Sequence, residues 1–193
     1  MTSIPKAIAT LLALAILLGA AFAVFARIAA DYRTRGKLSR SAAVLQTSYF
    51  IVYALSSYVF LDSRASHVVI TGVLLGTSLA LMVAGILLVG LSMPFLGRQS
   101  FGNEVKALRT EGLYRYSRNP QLEGGFLFIV GYAMLWPSWE GAAWAALWPV
   151  ISHLMVRGEE QHLLRVFGEE YAAYCARTPR FIGCPRLLRT RKS

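Results

Sequence analysis

Three long apolar runs dominate the first half of the chain, at residues 7–30, 42–61 and 68–93. A membrane-spanning helix needs about 20 apolar residues, because the hydrocarbon core is ~30 Å thick and each helical residue rises 1.5 Å. Each run therefore predicts one transmembrane helix, and Pro94 is expected to end the third.

Two shorter apolar runs follow, at residues 122–136 and 141–156, with a Pro- and Gly-containing turn between them. They predict a short helical hairpin that barely crosses the bilayer. The fold class is therefore an all-α integral membrane protein with about five transmembrane helices, followed by a cytoplasmic C-terminal helical segment. The whole chain, 1–193, is expected to form a single membrane domain. Its parts are a three-helix scaffold (1–93), a cofactor-binding and catalytic part (94–182) and a basic tail (183–193).

Composition and charge agree with a membrane protein. Of the 193 residues, 55% are hydrophobic and only 16% are charged, whereas soluble domains carry about 25% charged residues. This excludes an ordinary soluble enzyme, a disordered chain and a secreted disulfide scaffold. All of the 20 Lys and Arg residues except Lys6 and Arg64 lie on one side of the predicted spans. The positive-inside rule then places the N-terminus outside and the C-terminus and site in the cytoplasm, as in a bacterial inner membrane. The net charge of +10 is interpreted as basic loops that face anionic lipid, and no nucleic acid partner is expected.

Small residues recur every four positions in the third predicted span, and a weaker series occurs in the first. Such stripes let helix backbones approach closely. Two interpretations stay open, packing inside the protein and a homodimer face. The residues are Gly72, Gly76, Ala80 and Ala84 in the third span, and Ala15, Gly19 and Ala23 in the first.

A first polar cluster, residues 111–125, runs from a basic loop into the fourth apolar run. Arg118, Asn119 and Glu123 are thereby expected at or below the membrane surface, where a charged group usually faces a polar cavity or a partner. Pro120 suits the first turn of the following helix. The alternative is that Arg and Tyr side chains here only anchor a helix end.

A second polar cluster, residues 157–181, follows the last apolar run. One helical face of it holds a glutamate, a leucine and three aromatic residues, provided that Gly168 does not break the helix. Its paired carboxylates also suit a helix N-terminus, which is the structural alternative. Cys175 and Cys184 have no metal-ligand spacing, so we expect reduced thiols and no metal site. The residues of the shared face are Glu160, Leu164, Phe167, Tyr171 and Tyr174.

Taken together, the two clusters resemble the membrane methyltransferases related to isoprenylcysteine carboxyl methyltransferase and the phospholipid methyltransferases. The family pattern is G-x-Y-x-x-x-R-H-P-x-Y-x-G, a short helical hairpin, E-E-x-x-L, F-G-x-x-Y-x-x-Y and a closing P-R. The match covers residues 94–182, with Asn119 where His is usual and Leu122 where an aromatic residue is common. The matching residues are Gly112, Tyr114, Arg118, Pro120, Gly124, Glu159, Glu160, Leu163, Phe167, Gly168, Tyr171, Tyr174, Pro179 and Arg180.

The resemblance implies an enzyme that transfers a methyl group from S-adenosyl-L-methionine (SAM) to a lipophilic acceptor at the cytoplasmic face, leaving S-adenosylhomocysteine (SAH). The acceptor is open between an isoprenylcysteine carboxylate, a phospholipid amine and a thiol. Implied catalytic residues are Arg118, Glu159 and Glu160. Implied cofactor-binding residues are Tyr114, Arg118, Asn119, Pro120, Gln121, Gly124, Glu159, Glu160, Leu163, Tyr171 and Arg180.

Two other functions stay open at this point. Membrane sterol reductases share a similar C-terminal pattern, so an NADPH-dependent reductase is the first alternative, with Arg186, Arg189 and Arg191 as candidates for a 2′-phosphate site. A membrane scaffold or transport subunit without a cofactor is the second. It explains the small-residue stripes but not the clustered Arg, Glu and Tyr residues.

Overall fold

A computed structural model of the protein describes residues 3–61, 71–96 and 108–181. These residues contain five α-helices: α1 (Ser3–Arg35), α2 (Arg40–Phe60), α3 (Gly72–Leu96), α4 (Pro120–Ala133) and α5 (Trp139–Arg177). A short 3₁₀ helix, Gly112–Arg115, precedes α4, and no strand occurs in the described ranges. The all-α prediction is confirmed.

Three of the helices are long and apolar enough to cross a membrane. The qualifying stretches are Pro5–Arg35, Arg40–Phe60 and Gly72–Met93, which supports the prediction of a membrane protein. At 14 residues, α4 is only about 21 Å long, well short of the hydrocarbon core. The expectation that Pro94 ends the third helix is wrong, because α3 continues to Leu96. The missing proline N–H removes one bond of the ladder, and the helix ends two residues later.

Several helix ends are fixed by local chemistry that the sequence carries. Gly36, directly after α1, adopts a φ of +65°, which a residue without a Cβ tolerates. The Ser39 hydroxyl caps α2 by accepting from the Ala42 N–H at 3.2 Å. The same residue is tied back to α1, because the fully buried Asp31 carboxylate accepts from the Ser39 N–H at 3.2 Å. The connection between α1 and α2 is therefore rigid.

The core lies between α1, α2 and α5 and is rich in aromatic side chains. Tyr53 stacks on Trp144 with 4.9 Å between the ring centroids, and its hydroxyl donates to the Trp144 carbonyl at 3.0 Å. The Trp144 indole N–H donates to the Ser56 hydroxyl at 2.9 Å. Each buried polar group of this stack is thereby satisfied, as an apolar surrounding requires.

Backbone contact joins α3 to α4 through small residues spaced seven apart. A Cβ atom added at Gly85 would lie 2.5 Å from the Gly124 carbonyl oxygen, and one added at Gly131 would lie 2.6 Å from the Ser78 carbonyl oxygen. Ser92 is buried on the same side of α3. Close approach of this kind is how membrane helices associate without a hydrophobic driving force.

The small-residue stripe predicted in the third span faces away from α4. Among the described residues, a Cβ atom added at Gly72 or Gly76 meets nothing within 4 Å, and Ala80 and Ala84 are exposed. The same holds for a Cβ atom added at Gly19 in α1. Within the described ranges these stripes therefore do not pack against another helix, and the homodimer face stays a prediction.

Helix α5 is 39 residues long and carries the last apolar run and the polar segment after it in one element. It is kinked at Gly168, where φ is +52° and ψ is −121°. Tyr171 and Tyr174, which follow the kink, are buried, whereas Leu164 before it is 50% exposed. Gly168 therefore interrupts the regular helical face on which these residues were expected to align.

Some sequence predictions fall outside the described residues. They concern Arg64, the loop residues 97–107, and the basic tail with Cys184, Arg186, Arg189 and Arg191.

Candidate functional site

The Glu160 carboxylate on α5 lies between two arginine side chains. It forms an ion pair with Arg118 at 2.9 Å between Nη1 and Oε1, and accepts from Arg180 Nε at 3.1 Å. A second Arg180 nitrogen, Nη2, donates to Oε2. The side chains of Glu160 and Arg118 are only 14% and 13% exposed. We call these three residues the Glu160 network, and it joins both polar clusters of the sequence in one site.

Hydrogen bonds to Glu160 also hold the Arg180 guanidinium in its charged form. The pKa of Arg180 is raised by its hydrogen bond to Glu160, against a smaller opposing effect of burial. Its Nη1 atom lies 3.3 Å from His153 Nδ1. Charged and forked, this side chain is suited to planar recognition of a carboxylate.

Backbone hydrogen bonds fasten the segment after α5 onto the loop before α4. The Arg118 N–H donates to the Pro179 carbonyl at 3.0 Å, and the Asn119 side-chain amide donates to the Arg180 carbonyl at 2.9 Å. The Ser117 hydroxyl is 3.5 Å from the same Arg180 carbonyl. Asn119, which replaces the usual His of the family pattern, thus acts here as a hydrogen-bond donor to the closing Pro-Arg segment.

Tyr114 is held in place from two sides. Its carbonyl accepts from the Tyr174 hydroxyl at 2.7 Å, and its own hydroxyl donates to Gln121 Oε1 at 3.3 Å. Burial, and after it the negative charge of Glu159, raises the pKa of Tyr114 to about 12, with an opposing effect from Arg109. Tyr114 is therefore a neutral phenol at physiological pH.

Cys175 is a residue of the site that sequence reasoning missed. Arg118 Nη1 donates to its sulfur, and Cys175 is a free cysteine in the structure. Neighbouring Tyr171 is buried, and burial followed by the charge of Glu160 raises its pKa. In the sequence, the one indication that Cys175 belongs to the site was its position directly after Tyr174 of the second motif.

One donor of Arg118 is left over. Its Nε atom is buried and has no hydrogen-bond partner among the residues that the structure describes. An unsatisfied buried donor on a guanidinium is costly, since hydrogen bonds to charged groups are worth about 1.5–3 kcal/mol. The site is thus equipped to accept one more anionic or carbonyl oxygen.

The two adjacent carboxylates of α5 have different surroundings. Glu159 is partly buried, and no ion pair or hydrogen bond to its carboxylate is formed within residues 3–61, 71–96 and 108–181. Burial, and then the charge of Glu160, raises the pKa of Glu159. Its charge acts on the hydroxyls of Tyr114 and of Tyr32, a residue of α1 that sequence reasoning also missed. Glu159 and Glu160 therefore interact with different residues.

Three further residues predicted to contact a cofactor lie in packed positions. Pro120 is fully buried in the first turn of α4, and Leu163 is partly buried on α5. The space beside Gly124 is filled by α3, because an added Cβ would lie 2.7 Å from the Gly85 carbonyl oxygen. Helix packing accounts for this glycine, and cofactor contacts of these three residues stay predictions. Within the described part of the chain, no group of three His, Cys, Asp or Glu side chains is placed to hold a metal ion.

Comparison with known proteins identifies the family of this chain. The profile of the family described as "Phospholipid methyltransferase" matches residues 66–170, which is more than half of the chain. The chain belongs to the phospholipid methyltransferase family. Within that range lie Arg118 and Glu160, whereas Arg180 follows it.

Two relatives of this family member are phosphatidylethanolamine N-methyltransferases. The protein of Lodderomyces elongisporus is 32% identical over 73 residues, and that of Candida dubliniensis is 29% identical over 69 residues. These alignments cover 37% and 35% of this chain, but only 8% of either relative. The chain thus matches a small part of much longer proteins. No solved structure matches it.

Proposed function

We propose that this chain transfers a methyl group from SAM to the amine of a membrane phospholipid at the cytoplasmic face, with SAH as the second product. The observation that carries the proposal is the Glu160 network, in which Arg118 and Arg180 converge on one carboxylate in the middle of α5. The family and the names of the two relatives support the reaction class and the phospholipid amine.

The residues of the network fit the amino-acid end of SAM. The unpartnered Arg118 Nε offers a donor for the SAM carboxylate, in a charge-assisted bond. An ionised carboxylate has about four lone-pair sites, and three contacts to Glu160 leave room for the SAM amine. When bound, SAM supplies an electrophilic methyl group, whose bond to sulfur breaks with both electrons staying on sulfur as the bond to the acceptor nitrogen forms.

The residues of this chain then need to position the reactants and keep water out. Methyl transfer needs close, aligned approach more than a strong acid or base. Burial of Arg118, Glu160 and Tyr171 provides a fixed and poorly hydrated surrounding, in which charge-assisted contacts are strong. The acceptor amine must first lose a proton, so that its nitrogen lone pair is free to attack the methyl group. Water at the membrane surface takes that proton.

Charge favours the cytoplasmic side for this site. Tyr32 at the end of α1 stacks on His162 of α5, with 4.5 Å between the rings, so the connection from α1 to α2 lies at the site end of the bundle. That connection carries four exposed basic residues, as a cytoplasmic loop does. They are Arg33, Arg35, Lys37 and Arg40.

The test is methyl transfer in lipid nanodiscs with radiolabelled SAM and phosphatidylethanolamine, combined with calorimetric titration of SAH and of NADPH. Wild type is expected to label the lipid and bind SAH. Arg118→Ala and Glu160→Gln are expected to lose both, whereas the exposed Arg115→Ala, in the same loop, serves as the control. Binding of NADPH alone would replace the proposal with the reductase, and full activity in both site variants would refute the site.

A further inference from the structure

Two polar side chains inside the bundle, Gln46 of α2 and Ser152 of α5, have hydrogen-bonding capacity that the protein does not use. Gln46 Nε2 donates to the sulfur of Met155 at 3.8 Å, a contact with a weak acceptor. Among the residues that the structure describes, no other hydrogen bond is made by this amide. Ser152 is only 3% exposed, and its hydroxyl has no partner within the same ranges. Such groups are costly in an apolar surrounding unless a further molecule bonds to them.

The hydroxyl of Ser152 also lacks the bond that is usual for this residue type in a membrane helix. A serine or threonine there commonly donates to the backbone carbonyl four residues back. In α3, Thr77 donates to the Val73 carbonyl at 2.9 Å, and Ser92 donates to the Leu88 carbonyl at 2.8 Å. The corresponding bond of Ser152 is not formed. Its hydroxyl therefore remains available as a donor.

Trp148 lies one turn before Ser152 on the same face of α5 and separates α2 from α4. Its indole ring is 5.8 Å from the ring of Phe50 in α2. Its N–H donates to the Leu122 carbonyl of α4 at 2.9 Å, and a Cβ atom added at Gly125 would lie 2.6 Å from the same ring. Ser152 therefore follows the point at which α2 and α4 are held apart, on the side nearer to the candidate site.

Both polar groups lie at the depth where a bilayer changes from polar to apolar. The exposed Arg40 begins α2 at the site end of the bundle, and Gln46 follows it by about 9 Å along the helix axis. The contact of Gln46 with Met155, three residues after Ser152, brings the serine to a similar level. The interfacial region is about 5–8 Å deep on each side of the hydrocarbon core. Ester carbonyls are the last polar groups of a glycerophospholipid before its acyl chains, so they occupy this depth.

We propose that Gln46 and Ser152 bind the acyl ester carbonyls of the lipid acceptor. An amide N–H and a hydroxyl are uncharged donors, which suits a neutral carbonyl oxygen. The inference rests on the proposed function and narrows its acceptor to lipids with ester-linked acyl chains. Glu160 follows Ser152 by eight residues, or about 12 Å along α5, toward the same end of the bundle. A lipid held here by its esters therefore extends its headgroup toward the Glu160 network.

A pair of short-chain lipids that differ only in their linkage tests this subsite without turnover. The detergent-solubilised full chain is titrated calorimetrically with dihexanoyl-phosphatidylethanolamine and with its dihexyl ether analogue, in which a CH₂ group replaces each ester carbonyl. Headgroup, chain number and chain length are thereby kept the same. Wild type is expected to bind the diester more tightly than the diether, by about two- to tenfold for each hydrogen bond that the carbonyls accept.

Gln46→Leu and Ser152→Ala are each expected to weaken binding of the diester by about two- to tenfold, the effect of losing one neutral hydrogen bond. Affinity for the diether and for SAH is expected to be unchanged. Each variant removes a polar group that the protein leaves unsatisfied, so its melting temperature is expected to equal or exceed that of wild type. A purely structural role would lower the melting temperature and leave the ester preference intact.

The chain offers a matched control for each variant. Ser78→Ala removes another buried hydroxyl without a partner in the described ranges, but at the contact of α3 with Gly131 of α4. Gln161→Leu changes an exposed glutamine of α5. Both controls are expected to keep the wild-type preference for the diester.

The outcomes separate this proposal from the proposed function. Equal affinity of wild type for the diester and the diether overturns the subsite, even if wild type methylates phosphatidylethanolamine. A preference that survives in both Gln46→Leu and Ser152→Ala overturns it too, because the esters are then bound elsewhere. An ester preference that these variants abolish, without methyl transfer by wild type, upholds the subsite and refutes only the proposed function. Should one variant fail to fold, the other variant decides together with the wild-type comparison of the two lipids.

Discussion

The guanidinium of Arg118 lies 2.9 Å from the carboxylate of Glu160 and connects the loop before α4 to the middle of α5. The same side chain donates to Cys175 and keeps one buried nitrogen without a partner within the described ranges. Arg118 is thus fixed by two partners of the protein and still has one buried donor whose bonding capacity is unused within those ranges. That combination makes it the most informative residue for cofactor binding.

Arg118→Lys is expected to lower SAH affinity by about tenfold or more, because an ammonium keeps the charge but not the planar fork. Calorimetric titration of SAH measures the effect. Arg115→Lys, an exposed residue in the same loop, is the matched control and is expected to change nothing. SAH affinity within twofold of wild type in Arg118→Lys would remove Arg118 from the cofactor site.

The sequence was informative about the helices and about which residues meet. Apolar runs of about 20 residues have few structures available in a membrane other than helices. Charged residues at the membrane surface need partners, and the ordered motifs assigned Arg118, Glu160 and Arg180 to one site. The ion pairs of both arginines with Glu160 were not predicted.

The direction in which each side chain points from its helix was less predictable. Adjacent helical residues point about 100° apart, so the different surroundings of Glu159 and Glu160 follow from how α1 packs on α5. Contacts at Gly158 and at Tyr32 set that packing, and neither carries a motif. For the same reason the choice of packing face on α3 was missed. Lipid and helix neighbours are equally apolar, so hydrophobicity does not show which face of α3 packs on α4. The small residues spaced four apart were noticed, and the series spaced seven apart that contains Gly85 was not.

Gly85→Ala is expected to destabilise the protein by about 1–3 kcal/mol, the usual cost of overpacking. The added methyl group would lie 2.5 Å from a backbone carbonyl of α4, which has little freedom to move. Thermal unfolding in a mild detergent, followed by tryptophan fluorescence, measures the change.

Gly76→Ala is the matched control on the same helix, because its Cβ meets nothing within 4 Å in the part of the chain that the structure describes. It is expected to be neutral or slightly stabilising, since Ala is the better helix former. Equal melting temperatures for the two variants would contradict the α3–α4 contact described here.

Gly168→Ala is expected to cost about 1–2 kcal/mol, because residues with a Cβ avoid positive φ. The kink precedes Tyr171, Cys175 and Arg180, so relief of the strain by straightening the helix would also weaken SAH binding. Unfolding and SAH titration are measured together. The control is Gly90→Ala, whose added Cβ has no neighbour within 4 Å among the described residues. A melting temperature and SAH affinity both equal to wild type would show that the kink is dispensable.

Glu159→Gln is expected to change how stability depends on pH. Burial, and then the charge of Glu160, raises the pKa of Glu159 above its ordinary value of 4.5, so the folded protein binds this proton more tightly than the unfolded chain does. The contribution of Glu159 to stability is therefore fully present at pH values below about 4.5 and is lost as the pH rises through the raised pKa. Glutamine cannot titrate. The melting temperature of wild type is therefore expected to fall relative to that of Glu159→Gln as the pH rises from acidic to neutral. Melting temperatures at a series of pH values, with Glu169→Gln as the exposed control, measure this difference. Parallel pH profiles for wild type and Glu159→Gln would mean that the Glu159 carboxylate is as well solvated in the folded protein as in the unfolded chain.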